Sequence, residues 1–166
     1  VGSVFPRERI VTSSLQKYPE FIRKRHKLLF PQMPKAVEDF DFAGFDLVIS
    51  SSSAYAHGII TPLETKHISY CHSPMRYAWD YTHQYMDEQN AGALKKIIAQ
   101  WLLSKVRIWD SSASDRPDVY LANSRNAWRR IKKYYHQDST ILYPPIDIAR
   151  FKPQKKHDGY FLIVST

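Results

Sequence analysis

The chain has 166 residues, 43% hydrophobic and 14% aromatic, which suits one domain with a substantial core and excludes a disordered tail. Its net charge of +8 is densest at residues 23–27 and would attract polyanions, yet no nucleic-acid-binding motif accompanies it. One cysteine, Cys71, excludes a disulfide framework and a cysteine-based zinc site and fits a reducing compartment; no apolar run approaches a membrane span and no signal-peptide pattern opens the chain.

Residues 16–25 read as a helix, and Pro31 and Pro34 mark a second helix entry leading into Ala36, Val37 and Phe40. From Phe40 onward apolar strands and amphipathic helices alternate. The first strand, 46–50, ends in a run of hydroxyls, Ser51 to Ser53; the second is 66–71. Across 93–109, Leu94, Ile97, Ile98, Trp101, Leu102, Val106, Ile108 and Trp109 recur mostly at three- and four-residue steps, predicting a helix with one apolar stripe. Pro117 stops any continuation, and a third strand follows at 118–122. Ser124 is placed to cap a helix in which Ala127, Trp128, Ile131 and Tyr135 face inward while Arg125, Arg129, Arg130, Lys132 and Lys133 face solvent. A fourth strand at 140–143 is ended by Pro144 and Pro145, which cannot donate to a ladder, and a fifth is expected at 160–164. The alternation predicts an α/β fold, a parallel sheet with flanking helices as crossovers.

The stretch 67–80, HISYCHSPMRYAWD, carries the most chemistry. Its apolar start enters a buried strand; His72, Ser73, Arg76, Tyr77, Trp79 and Asp80 then gather just past the carboxyl end, where open α/β sheets bind ligands. Hydroxyl-binding groups beside aromatic faces suit a sugar. Ser51, Ser52, Asn123 and Ser124 fall at neighbouring strand ends and are expected to line the same cleft. Taken singly, each of these has an ordinary capping or turn explanation; the group as a whole does not. With 5 glycines, neither a Gly-x-Gly-x-x-Gly nor a Walker-type phosphate loop is present. His57, His67, His72 and His83 lack metal-ligand spacing, so no metal is expected. Without a Gly-x-Ser-x-Gly elbow hydrolase chemistry is disfavoured, and Asp80, Asp87 and Glu88 make a poor carboxylate pair.

These segments together resemble the family-4 glycosyltransferases, retaining enzymes of the GT-B fold, and among them the bacterial mannosyltransferases that build surface polysaccharide. The carriers are residues 45–52, the loop 70–80, Ile108-Trp109-Asp110, residues 118–124 with the basic helix after them, Tyr143-Pro-Pro-Ile-Asp147, Arg150-Phe151 and 160–165. The resemblance implies a partial amino-terminal, acceptor-side domain at 1–143 with a Rossmann-like parallel sheet and flanking helices, an interdomain linker at 144–159, and the first strand of a donor domain at 160–166. It implies transfer of a sugar, mannose by likeness, from a nucleotide sugar such as GDP-mannose to a glycan or lipid-linked acceptor, with no cofactor or metal. His72 matches the family's histidine at the reacting centre, with Ser73, Arg76, Tyr77, Trp79 and Asp80 shaping the acceptor pocket. The family's glycine-rich loop would precede Val1; its diphosphate-gripping basic pair and two glutamates would follow Thr166, so these 166 residues alone are expected to be inactive. A cytoplasmic location, peripheral at the inner face of an anionic membrane, is the matching expectation. The reading from another class is a non-catalytic basic module for nucleic acid or membrane surfaces, with salt-dependent, sugar-independent binding.

Overall fold

The computed structural model describes residues 5–82, 93–150, 159, 161 and 163. Four strands form one parallel sheet in chain order: β1 (Leu47–Ser52), β2 (Lys66–Cys71), β3 (Val119–Ala122) and β4 (Ser139–Ile141). With its helices this is the mixed α/β architecture that the alternation predicts, Rossmann-like in its parallel sheet. β1 runs two residues beyond its expected end because the ladder continues through Ser51↔Tyr70 and Ser52↔Cys71.

The helices are α1 (Glu20–Arg23), α2 (Met33–Glu38), α3 (Ala93–Ala113) and α4 (Arg125–Arg130). The helix expected over 16–25 is split into a 3-10 turn, Ser14–Lys17, and α1. Pro19 stands between them, and its missing N–H cannot carry a helix ladder forward. Pro34 lies in the first turn of α2, where a missing donor costs nothing. Ser124 caps α4 as expected, its Oγ accepting from the Ala127 amide at 3.1 Å. The chain then widens into a π turn, Ile131–Tyr135, and stops at His136 in the left-handed region (φ 57°).

Strand side chains alternate between two faces. On the inner face Val48, Ser50 and Ser52, His67, Ser69 and Cys71, and Tyr120 and Ala122 are buried. Cys71, Tyr120 and Ala122 pack against Ala127, Ile131 and Tyr135, fixing the helix after β3 on this face. A second cluster, Met75, Ala78 and Val106, joins the loop after β2 to α3, with Phe30, Tyr55 and Trp109 around it. Glu38 at the end of α2 accepts from the Trp109 indole (2.8 Å) and Arg116 (2.7 Å), so the amino-terminal helices share that layer. The opposite face of the sheet is open: Leu47, Ile49, Val119 and Leu142 are exposed.

Two side-chain expectations need correcting. α3 carries two apolar stripes on opposite sides, not one. Leu103, Val106 and Ala113 are buried, whereas Leu94, Ile97, Ile98, Trp101 and Ile108 face solvent, Trp101 with 59% of its surface exposed. Periodicity shows that a helix has an apolar side but not which neighbour covers it. On the helix after β3, Arg130 points inward and Trp128 outward; Arg130 turns in because Asp80 meets it there. The strand expected over 160–164 falls outside the described residues apart from Phe161 and Ile163, both exposed.

Candidate functional site

Because the four strands are parallel, their carboxyl ends open on one edge of the sheet. His72 is the first residue beyond β2, held in line by its amide donating to the Ser52 carbonyl at 2.8 Å. Alternation along the strands points Ser51, Tyr70, His72 and Asn123 to the open face. There His72 Nε2 lies 2.9 Å from Ser51 Oγ, and Nδ1 lies 3.5 Å from Asn123 Nδ2. The Ser124 hydroxyl donates to Asn123 Oδ1 at 3.0 Å, turning the amide N–H toward the ring. With Nδ1 accepting from Asn123, Nε2–H is the donor to Ser51. Tyr70 meets the imidazole edge-on at 5.2 Å and is tied by its hydroxyl to the Leu142 carbonyl at 3.0 Å. The ring is therefore exposed yet addressed on both nitrogens from the strands either side.

The other expected site residues divide into two groups. Ser51, Asn123 and Ser124 are drawn together around His72. Ser52 is not: it is buried on the inner face beside His57, whose amide donates to it at 3.3 Å. In the loop after His72, Ser73 donates to the Pro74 carbonyl (2.9 Å) and Arg76 is exposed, its guanidinium over the Tyr81 ring at 5.7 Å. Tyr77 is half-buried against Phe30 at 5.5 Å. Trp79 and Asp80 anchor the loop to the helices. The Trp79 indole donates to Asp110 at 2.7 Å and stacks on Tyr134 at 4.9 Å; Asp80 receives Arg130 in a two-pronged pair at 2.5 and 2.6 Å. Their contacts hold the loop's shape. His83, Asp87 and Glu88 lie outside the described residues.

Beneath the loop is a polar cluster to which the motifs assign no site role, although Asp110 lies within one of them. Asp110, fully buried, accepts from Trp79 and from the Tyr135 hydroxyl (3.1 Å), and its Oδ1 lies 3.3 Å from His57 Nε2. Burial pushes the Asp110 carboxyl up to about 7, against the pull of its two donors, and pushes His57 down to about 4. The fold thus favours a protonated acid beside a neutral imidazole. The available signal was a carboxylate on the buried side of an amphipathic helix, between Val106 and Ala113. Burial also pushes the Cys71 thiol up to about 12, leaving it inert.

Among the described residues no group of three or more His, Cys, Asp or Glu is arranged to hold a metal ion, and no helix is long and apolar enough to cross a membrane. A cleft of about 490 Å³ lies elsewhere, lined in part by Gln16, Glu20, Arg23, Lys24, Leu29 and Met33. Its charges are already engaged: Arg23 with Gln16 at 2.8 Å, Lys24 with Glu20 at 2.9 Å. No family model, no curated protein and no solved structure matches the chain.

Proposed function

We propose that this chain is the acceptor-side part of a retaining glycosyltransferase in which His72 faces the sugar being transferred. The observation that supports the reading is the exposed imidazole of His72 at the carboxyl edge of a parallel sheet, held by Ser51 on one nitrogen and facing Asn123 on the other. A ring so positioned can direct an N–H or lone pair at a sugar hydroxyl. Its backbone carbonyl, just beyond a strand end, can stabilise positive charge developing at an anomeric carbon; groups aimed in advance at developing charge usually supply the largest catalytic term. Ser51 and Asn123 are positioning residues in this scheme, and Arg76, exposed on the same loop with its guanidinium over Tyr81, can reach a polar acceptor. The donor is a nucleotide sugar, GDP-mannose by resemblance, and the acceptor a glycan or a lipid-linked glycan; no step requires a cofactor.

The test is sugar transfer by the complete gene product, from radiolabelled GDP-mannose and other nucleotide sugars to lipid-linked acceptors. His72→Ala should cut kcat at least 100-fold with the melting temperature unchanged, and Ser51→Ala should cut it less, mainly through ring position. Near-normal transfer by His72→Ala would overturn the assignment. Salt-dependent binding of nucleic acid or anionic vesicles, with no transfer of any sugar, would favour the basic binding module instead.

A further inference from the structure

Tyr70 falls in the part of 67–80 that the sequence assigns to buried strand, yet in the structure it is half-buried on the open face of β2, two residues before His72 and on the same side. In the ladder it stands between Ser51 of β1 and Leu121 of β3. Its side chain runs across β3, and the hydroxyl donates to the Leu142 carbonyl at 3.0 Å, 72 positions away in the chain. Leu142 is itself fixed just beyond β4, its amide donating to the Ala122 carbonyl at 2.9 Å. The phenol is therefore held at both ends, by its own strand and by the far side of the sheet. Between those ends its ring meets the His72 imidazole at 5.2 Å, with the two planes 82° apart.

The hydrogen bonds of His72 do not by themselves hold its ring still. Ser51 offers an exposed hydroxyl that rotates about its own bond, and the Asn123 amide stands at 3.5 Å, the weak end of the hydrogen-bond range. Both can follow the imidazole through a span of angles. An aromatic ring tethered at its far end cannot, and an edge-to-face pair of rings has a preferred geometry. We infer that Tyr70 is a positioning residue for His72: its tethered ring holds the imidazole at the angle from which the site addresses a sugar. The consequence for transfer rests on the function proposed above; the ordering of the ring does not. If Tyr70 served only to tie β2 to the end of β4, its whole effect would lie in the hydroxyl and none of it would pass through His72.

Two substitutions separate these roles. Tyr70→Phe keeps the ring and removes the tether; Tyr70→Leu removes both. In the complete gene product carrying 13C-labelled histidine, the Cε1–H signal of His72 is the one lost in His72→Gln, and its order parameter reports how tightly the ring is held. That order should fall most in Tyr70→Leu and much less in Tyr70→Phe. In sugar transfer Tyr70→Leu should lower kcat about tenfold with KM unchanged, because small errors of placement weigh on the chemical step. Tyr70→Phe should lower it by no more than about threefold, since the ring contact survives. Adding Tyr70→Leu to His72→Ala should cost nothing further, because a residue that acts through the imidazole is silent once the imidazole is gone. Tyr70→Met takes the place of the leucine variant if that one fails to fold. An unchanged order parameter in Tyr70→Leu would overturn the inference. So would an equal fall in both variants, or a full tenfold loss on top of His72→Ala. Absence of transfer by the wild type, with ring order still falling in Tyr70→Leu, would overturn the proposed function and uphold the placement of the ring by Tyr70.

Discussion

Trp79 and Asp110 lie 31 positions apart and share a 2.7 Å hydrogen bond from the indole N–H to a fully buried carboxyl. Through it the loop that begins at His72 is fastened to α3. Replacing Trp79 with Phe keeps an aromatic surface on Tyr134 but removes the donor, leaving Asp110 short of a partner. Leaving a buried acceptor unmatched costs about 1–3 kcal/mol, read as a shift in the urea midpoint. If the variant unfolds at the wild-type midpoint, the anchoring role is wrong.

Asp110 and His57 give opposite pH dependences. The folded Asp110 value of about 7 lies above the ordinary 3.8, so between those pH values the native state holds a proton that the unfolded chain has lost. Stability from this group therefore falls as pH rises from about 4 to about 7. The folded His57 value of about 4 lies below 6.5, so the unfolded chain holds the extra proton and stability rises over nearly the same window. The two cancel: one proton sits on the carboxyl when folded and on the imidazole when unfolded. Wild-type stability should be nearly flat between pH 4.5 and 6.5 as far as this pair decides it. Asp110→Asn should convert that to a rise and His57→Gln to a fall, at a scale of about 1.4 kcal/mol per pKa unit. Denaturation at three pH values checks both; identical profiles for the two variants would refute the account.

Arg130 and Asp80 form the second anchor, two-pronged and closed by a contact from Arg130 to the Pro74 carbonyl at 3.4 Å. Arg130 is mostly buried while the Asp80 side chain keeps 32% of its surface exposed. Solvent therefore screens part of the pair, and Arg130→Met should cost about 2 kcal/mol, below the range for a fully buried pair. Asp80→Asn should cost a similar amount, and the double variant less than the sum. Strict additivity in a double-mutant cycle would show that the two side chains act independently.

Gly58 lies against the six-membered ring of Trp109: a Cβ added there would lie 2.5 Å from two indole carbons and 3.1 Å from the Ala113 methyl. Gly58→Ala should destabilise by about 1–3 kcal/mol through overpacking, with Trp109→Leu in the same chain recovering part of the loss. Thermal melts of the single and double variants decide it; a neutral Gly58→Ala would mean that the indole moves aside freely.

Four of the five expected strands were legible because β-branched and aromatic runs bounded by serine, asparagine and proline encode a ladder locally; the fifth falls largely outside the described residues. β2 spans the expected residues, and Ser124 caps its helix as its position after a strand implied. The meeting of His72, Ser51 and Asn123 was legible in outline, since all three follow from parallel strands ending on one edge. What remained hidden was the face each side chain takes. Ser51 and Ser52 are equivalent in a list of hydroxyls, yet they point to opposite sides of the sheet, one toward His72 and one toward His57.

By itself, then, the sequence determined the kind of elements, their order, and the loop that gathers chemistry beyond β2, because these depend on periodicity and on residues near in the chain. Only the tertiary structure decided that Trp79 and Asp80 brace the loop, that Asp110 lies buried 3.3 Å from His57, and that one side of the sheet stands uncovered among the described residues. Those facts depend on contacts made across dozens of positions and on the hand of the crossovers, and a local pattern carries neither.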